Sequence, residues 1–288
     1  MVMQLRISNL KYYLLMCWLI FPSAFAGLKV VYPNIDGIGA ESIGYSVLKL
    51  ALEKSGQAHE LSVYGPTVNQ QRARDLVEQG QLSLFDTGFQ EGLDQRFDPI
   101  YLPIDRGILG WRLFIIHKDN QEKFANIKSL KDLQQYIAGQ GKGWGDIVVI
   151  ENAGIKVKTA GKIPSLIKMV GGKRFDFFPL GANEVYSFLD KFGGNDPNLV
   201  IDTNVVLVYP YGRFFYVKKD DKSLAEAIRS GMEKALADGS LQKMLESHKY
   251  FKDAFSTAKL KERVRIDIDT PNLSDGFKSI DEKWWFNP

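Results

Sequence analysis

The residues of this chain that could do chemistry are thinly spread, and their spacing favours binding over bond-making. His59, His117 and His248 are far apart and form no H-x-x-x-H pair. There is no G-x-S-x-G, and the single cysteine, Cys17, falls in an N-terminal segment expected to be removed. No thiol nucleophile, disulfide or cysteine-bound metal is therefore expected. The most conspicuous motif is Gly139-Gln140-Gly141-Lys142-Gly143-Trp144-Gly145-Asp146. It lacks the third-glycine spacing of a dinucleotide fingerprint and the G-K-[ST] end of a phosphate loop. Before a helix opening at Asp146, its backbone N–H groups can still hold an anionic ligand group. Gly141, Trp144 and Asp146 are candidate contacts on that reading. The alternative is a surface loop in which Trp144 covers the core. A second set of candidates follows the strands: Tyr32 and Asn34 after the first, then Asp86 and Thr87 after the third. Open α/β sheets bind ligands at the carboxyl ends of their strands. Each of these residues can equally be a packing or turn residue.

The elements that must hold these residues are legible in outline. Leu28 to Pro33 reads as a strand, Glu41 to Lys54 as a helix stopped by Gly56, and Glu60 to Tyr64 as a second strand. Asn69 to Gln79 reads as a helix ended by Gly80, and Leu82 to Phe85 as a third strand. Strand and helix in alternation predict an α/β fold with a largely parallel sheet. A long apolar run follows from Ile108 to Ile116. Ser129 caps a helix through Leu133, with Asp132 completing a capping box. A helix from Asp146 to Asn152, a strand near Val157 and a helix from Ser165 to Val170 come next. Arg174 to Phe178 reads as a buried strand, and Asn183 to Lys191 as a helix. Two apolar runs, Val205 to Tyr209 and Phe214 to Val217, are broken by Pro210-Tyr211-Gly212. The clearest helix follows, with Leu224, Ile228, Met232, Ala235 and Leu236 on one face and Gly239 past its end. Ser240 restarts a shorter helix. The tail carries a strand near Val264 to Ile268 and an aromatic end at Trp284-Trp285-Phe286.

Composition narrows the class. Residues 1–26 combine a basic start (Arg6, Lys11), an apolar run from Tyr12 to Phe21 and a small-residue exit, Ser23-Ala24-Phe25-Ala26. This is the pattern of a cleavable secretory signal, and the apolar run is about half the ~20 residues that span a bilayer. Cleavage after Ala26 would start the mature chain at Gly27 and deliver it to the periplasm. The chain holds 37 basic and 34 acidic residues, and two of the basic ones lie in the leader. The remainder is close to neutral, so neither nucleic acid nor a polycation is an expected partner.

Several motifs resemble those of periplasmic solute-binding proteins of type 2 fold, in particular solute-binding protein family 3. Phe214 to Asp220 followed by Leu224 to Leu245, with Asp238-Gly239-Ser240 between the helices, resembles the family's return strand and paired helices. Gly172-Lys173-Arg174-Phe175-Asp176 resembles its G-R-x-D, and Ser129-Leu130-Lys131-Asp132-Leu133 its S-L-x-D-L. Leu76 to Gly80 followed by Leu82 to Phe85 resembles the helix and strand before its first ligand loop. The resemblance implies two α/β lobes joined by two crossover strands, with the ligand between them. Lobe 1 would comprise 27–113 and 209–288, and lobe 2 would comprise 114–208. It further implies an arginine for a ligand carboxylate, expected at Arg96 with Arg106 and Arg112 as alternatives. Glu184 would take the ligand ammonium, or would simply stabilise its helix start. Asp176 reads as structural. The implied protein is a monomer without cofactor or metal. It would pass a small polar solute, an amino acid or related carboxylate, to an inner-membrane ABC permease. Two alternatives stay open: an orphan binding protein serving a sensor receptor, and a dehydratase-like periplasmic enzyme on the same scaffold.

Overall fold

The computed structural model describes residues 27–194 and 196–287. The leader read at 1–26 lies outside the described residues. The chain opens with β1 (Leu28–Tyr32), α1 (Ile43–Ser55), β2 (His59–Val63), α2 (Gln70–Glu78) and β3 (Leu84–Gly88). The short helix α3 (Leu93–Arg96) and β4 (Phe97–Ile100) follow, then β5 (Trp111–His117), α4 (Gln121–Ala125), α5 (Leu130–Leu133) and β6 (Ile137–Gly141). Next come α6 (Asp146–Asn152), β7 (Lys156–Ala160), α7 (Ile163–Gly171), β8 (Phe177–Gly181), α8 (Val185–Phe192) and β9 (Leu199–Ile201). The remainder is β10 (Val205–Val208), β11 (Arg213–Lys218), α9 (Lys222–Ala237), α10 (Ser240–Ser247), α11 (Lys252–Phe255), β12 (Val264–Asp267) and α12 (Asp275–Lys278).

Local chemistry explains the boundaries. The Ser42 hydroxyl accepts the Tyr45 amide to start α1, and Gly56 ends it at φ 79°. The Asn69 side chain accepts the Arg72 amide to start α2. Ser129 accepts the Asp132 amide, while the Asp132 carboxylate receives the Lys128 amide.

These elements form two bodies of sheet. In the first, β1 pairs in parallel with β2, and the Ser83 amide bonds the Val31 carbonyl at the entrance to β3. The returning β11 lies antiparallel between β3 and β4. Helices α1 and α9 cover this body and pack almost backbone to backbone. A Cβ on Gly231 would lie 1.8 Å from the Ala51 carbonyl oxygen. The second sheet runs β12-β10-β5-β8-β6-β7, with β9 beside the outer half of β5. The β5 strand is buried along its whole length, which is why its sequence is apolar apart from Arg112 and His117.

Three sequence expectations shift. Gly139 to Gly141 belong to β6 rather than to a loop, because the ring of Phe175 lies against Gly139, where a Cβ would sit 2.1 Å from it. The buried strand expected over Arg174–Phe178 starts at Phe177. Asp176 stays outside it, its carboxylate accepting the Ile137 amide at 2.8 Å. The tail strand β12 extends the second sheet through four parallel pairs with β10.

The chain passes between the two bodies four times. The first passage is 101–110, the second is 209–212, and the third is 256–263, which leads from α11 to β12. The fourth is the tail, which leaves β12 and then packs Phe277 against Phe89 and Phe214 of the first body, with Trp285 of the tail beside them.

The candidate ligand cleft

Charged side chains from both bodies meet where the passages run. On the first body, Tyr32 ends β1, Asp86 lies in β3 and Arg213 begins β11. Asp86 is buried and receives the Tyr32 hydroxyl on one carboxylate oxygen and the Arg213 Nε–H on the other. Gly44, in the first turn of α1, lets this group pack tightly. A Cβ there would sit 2.4 Å from both the Asp86 carboxylate and the Tyr32 hydroxyl. Burial raises the Tyr32 pKa, and the neighbouring Asp86 charge adds to it. For Arg213, burial opposes the charge, but Asp86, helped by Tyr32 and Asp105, holds the guanidinium above its ordinary value. Asp86 thus braces Arg213, whose side chain remains about 31% exposed.

A matching group stands on the second body. Arg112, on β5, is buried and donates from Nη2 to the Asp146 carboxylate at 2.5 Å. The Tyr209 hydroxyl donates to the same oxygen at 2.5 Å. The Arg112 guanidinium also lies over the rings of Tyr209 and Tyr211, at 5.2 and 5.5 Å from their centroids. Its Nε is buried without a partner, as are Gln140 Oε1 and Asn183 Oδ1. Glu184 caps α8 beside this group and is half-buried. Its side chain makes no ion pair or hydrogen bond among the described residues. Burial raises its pKa above the ordinary 4.5; Arg112 and Arg213 oppose the shift and Asp146 reinforces it. Glu184 therefore feels one arginine from each body.

The passages are braced as well. Buried Asp105 accepts the amides of Gly107, Leu109 and Arg213, tying the first passage to the start of β11. Tyr211, in the second passage, has its hydroxyl against Gly88 of β3 and near Gly145 before α6.

Of the residues expected from sequence, the structure brings together Tyr32, Asp86, Asp146 and Glu184. Asp86 and Asp146 are each engaged by an arginine, Arg213 and Arg112. Arg96 is placed elsewhere: it lies on the surface, paired with Glu78 at 2.9 Å and stacked over Phe97. Arg106 is turned to the tail, donating to Gln242 Oε1 at 2.6 Å and to the Lys283 and Trp285 carbonyls. Asn34 ties its own loop to the Gly65 carbonyl. Thr87 is buried opposite Phe214 in the β3–β11 ladder. Trp144 folds back over Gly141, where a Cβ would sit 2.2 Å from the indole, and stacks toward Phe178.

Arg213, Tyr209 and Tyr211 were not among the expected residues, and Arg112 was only an alternative. Their signal was available: Arg112 and Arg213 are lone cations within or beside long apolar strand runs, and a buried cation requires a partner.

No protein-family model matches this sequence, and no curated protein sequence does. Solved structures do match. One is an amino acid ABC transporter substrate-binding protein from Streptococcus pneumoniae bound to L-arginine. It is 20% identical over 78% of this chain and 95% of its own, with a TM-score of 0.52. An ancestral arginine-binding protein bound to arginine is 17% identical over 77% and 97%, with a TM-score of 0.51. YckB of Bacillus subtilis is 18% identical over 84% and 97%, with a TM-score of 0.52. The fold is the two-lobed type 2 periplasmic-binding architecture, the one the sequence resemblance implied. The two bodies of sheet correspond to its lobes, and the charged groups described above lie where the chain passes between them.

Proposed function

We propose that this protein is an exported solute-binding protein that closes its two lobes on a small zwitterion, an amino acid or related carboxylate. It would deliver that solute in the periplasm to an inner-membrane ABC permease. The observation that carries this reading is a pair of opposite charges on different lobes, Arg213 on the first and Glu184 on the second, near enough for the Arg213 charge to act on the Glu184 carboxyl without an ion pair between them. Asp86 engages one edge of the Arg213 guanidinium and leaves Nη1 without a protein partner among the described residues. That free edge suits a carboxylate, because a guanidinium presents parallel charged donors. Glu184 has no cation of its own and suits an ammonium. A zwitterion satisfies both groups only when the lobes come together, so closure and binding are one event. Similar folds are bound to arginine in solved structures, which supports the amino-acid class. The strand pairing supports a second lobe running from β5 to β10 and joined by β12, with the remainder in the first.

The test is calorimetry with amino acids and their blocked derivatives. An α-amino acid that binds should lose about 2–5 kcal/mol when its amine is acetylated or its carboxyl amidated, the range for removing one partner of a buried charge pair. Retained affinity for both derivatives would overturn the zwitterion reading.

A further inference from the structure

The chain is close to neutral, but its charge is unevenly placed. Residues 154–175 hold six cations and no carboxylate, while the rest of the chain beyond the leader has more acids than bases. The fold gathers these cations on one edge of the second lobe. β7 ends the sheet and pairs only with β6 among the described residues, so its other side is free. Lys156 and Lys158 are two residues apart in it and project from the same face. The Lys158 ammonium donates to the Arg174 carbonyl at 2.7 Å, which brings the turn before β8 against the edge. Helix α7 covers that face, turning Leu166, Ile167 and Val170 inward and leaving Lys168 exposed. Lys162 directly precedes α7, and the Lys142 amide donates to the Ala160 carbonyl at 2.9 Å, so both stand at the far end of β7.

These side chains are exposed. Apart from Lys173, which pairs with Asp119 at 2.5 Å, none of them forms an ion pair among the described residues. The flanking carboxylates point elsewhere. Glu151 lies on α6, whose Val149 and Ile150 pack on the opposite face of the sheet, and Asp176 accepts the Ile137 amide.

Lysine on a free strand edge discourages pairing with another chain. That role accounts for Lys156 and Lys158, and it disfavours an added peptide strand. It leaves Lys142, Lys162, Lys168 and Arg174, which lie off the strand. All but Arg174 are lysines, whose ammonium is a point charge without the fork that grips a single carboxylate or phosphate. No exposed aromatic ring stands among them to stack a base, since Phe175, the one aromatic of the stretch, is buried. Unpaired point charges spread over an edge, a helix and its flanking turns match a broad anionic surface.

We propose that this edge of the second lobe docks on the anionic phospholipid headgroups of a membrane surface. The contact is electrostatic and reversible, because no large apolar side chain of the stretch is exposed to insert. The acidic excess elsewhere turns this edge toward the lipid and the remainder away. Docking concentrates an exported binding protein near the plane of a permease, whatever solute its lobes enclose.

The test is sedimentation of the protein, recovered after export, with phosphatidylcholine vesicles that contain or lack phosphatidylglycerol. Binding should require phosphatidylglycerol and vanish at about 1 M salt, where the Debye length falls to ~3 Å. Lys156→Gln combined with Lys168→Gln removes two cations without protein partners and should weaken partitioning about 25-fold, at roughly fivefold per charge. Lys219→Gln combined with Lys243→Gln, both exposed on the first lobe, should bind as the wild type does. Equal sedimentation with neutral vesicles, or an equal loss in both double variants, would overturn the proposal. Capture by polyglutamate without any vesicle binding would also overturn it and assign the edge to an acidic protein.

Discussion

Glu184 carries a consequence that belongs to a single carboxyl group. Burial raises its pKa, so its titration favours the native state at low pH, and that contribution is lost as pH rises through the folded-state pKa. Ligand binding has the opposite sign, because an ammonium needs the ionised form. Acidification should therefore weaken affinity from a pH above the ordinary 4.5, while the contribution of Glu184 to ligand-free stability grows over the same range. Calorimetry and thermal melts across pH on wild type and Glu184→Gln would check this, since glutamine should flatten both trends. A wild-type affinity that holds constant until pH falls below 4.5 would contradict the assignment. At this scale the sequence singled out Glu184, Asp146, Tyr32 and Asp86, which the structure gathers around Arg112 and Arg213. It did not disclose Arg213, whose partner Asp86 is 127 residues away, because only the register of β11 against β3 brings them together. Arg96 was misleading for the complementary reason: an arginine after the third strand reads the same whether it turns to a cleft or to Glu78.

Element packing sets a different kind of limit. Helices α1 and α9 were both read correctly from their apolar faces and terminal glycines, yet the closeness of their contact was invisible. Gly231 reads as a weak point in a helix, where alanine would gain about 1 kcal/mol of propensity. The structure reverses that reading, because the added Cβ would meet the Ala51 carbonyl at 1.8 Å. Overpacking of this kind costs roughly 1–3 kcal/mol, and a rigid backbone neighbour puts it at the upper end. Gly231→Ala should therefore lower stability by a net ~2 kcal/mol, read as a lower denaturation midpoint with an unchanged denaturant slope. A midpoint that rises would show that α9 can tilt away from α1. The same type of contact hid the β6 boundary: Gly139 looks like loop until Phe175 is seen to occupy the space above it.

For the whole molecule, the order of strands and helices was enough to read an α/β fold, and its resemblance to solute-binding proteins implied two lobes, but neither told how the tail is used. A tail strand near Val264 was legible; its partner β10, on the other lobe, was not, because a parallel pairing leaves no local mark in sequence. The tail joins both lobes. The Ile268 amide bonds the Val208 carbonyl on one, and the Phe286 amide bonds the Arg106 carbonyl beside the other. Arg106 fixes the far end through Gln242, Lys283 and Trp285. Arg106→Ala should release residues 270–287 to limited proteolysis and cost about 1.5–3 kcal/mol, the range for hydrogen bonds to a charged donor. An undigested tail in that variant would show that the aromatic packing alone holds it.

That tail gives the protein a built-in optical signal. Trp111 opens β5 on the second lobe, and Trp285 lies over Gly107 at the end of the chain. Both indoles line one groove of about 360 Å³ behind the passages, with Arg265 stacked 4.7 Å over Trp111. Any rotation of one lobe against the other changes the width of this groove, and with it the polarity and quenching around two tryptophans. Intrinsic emission should therefore follow ligand uptake in solution without a dye or a tag. Trp144, held within one lobe over Gly141, supplies the steady background against which that change is read.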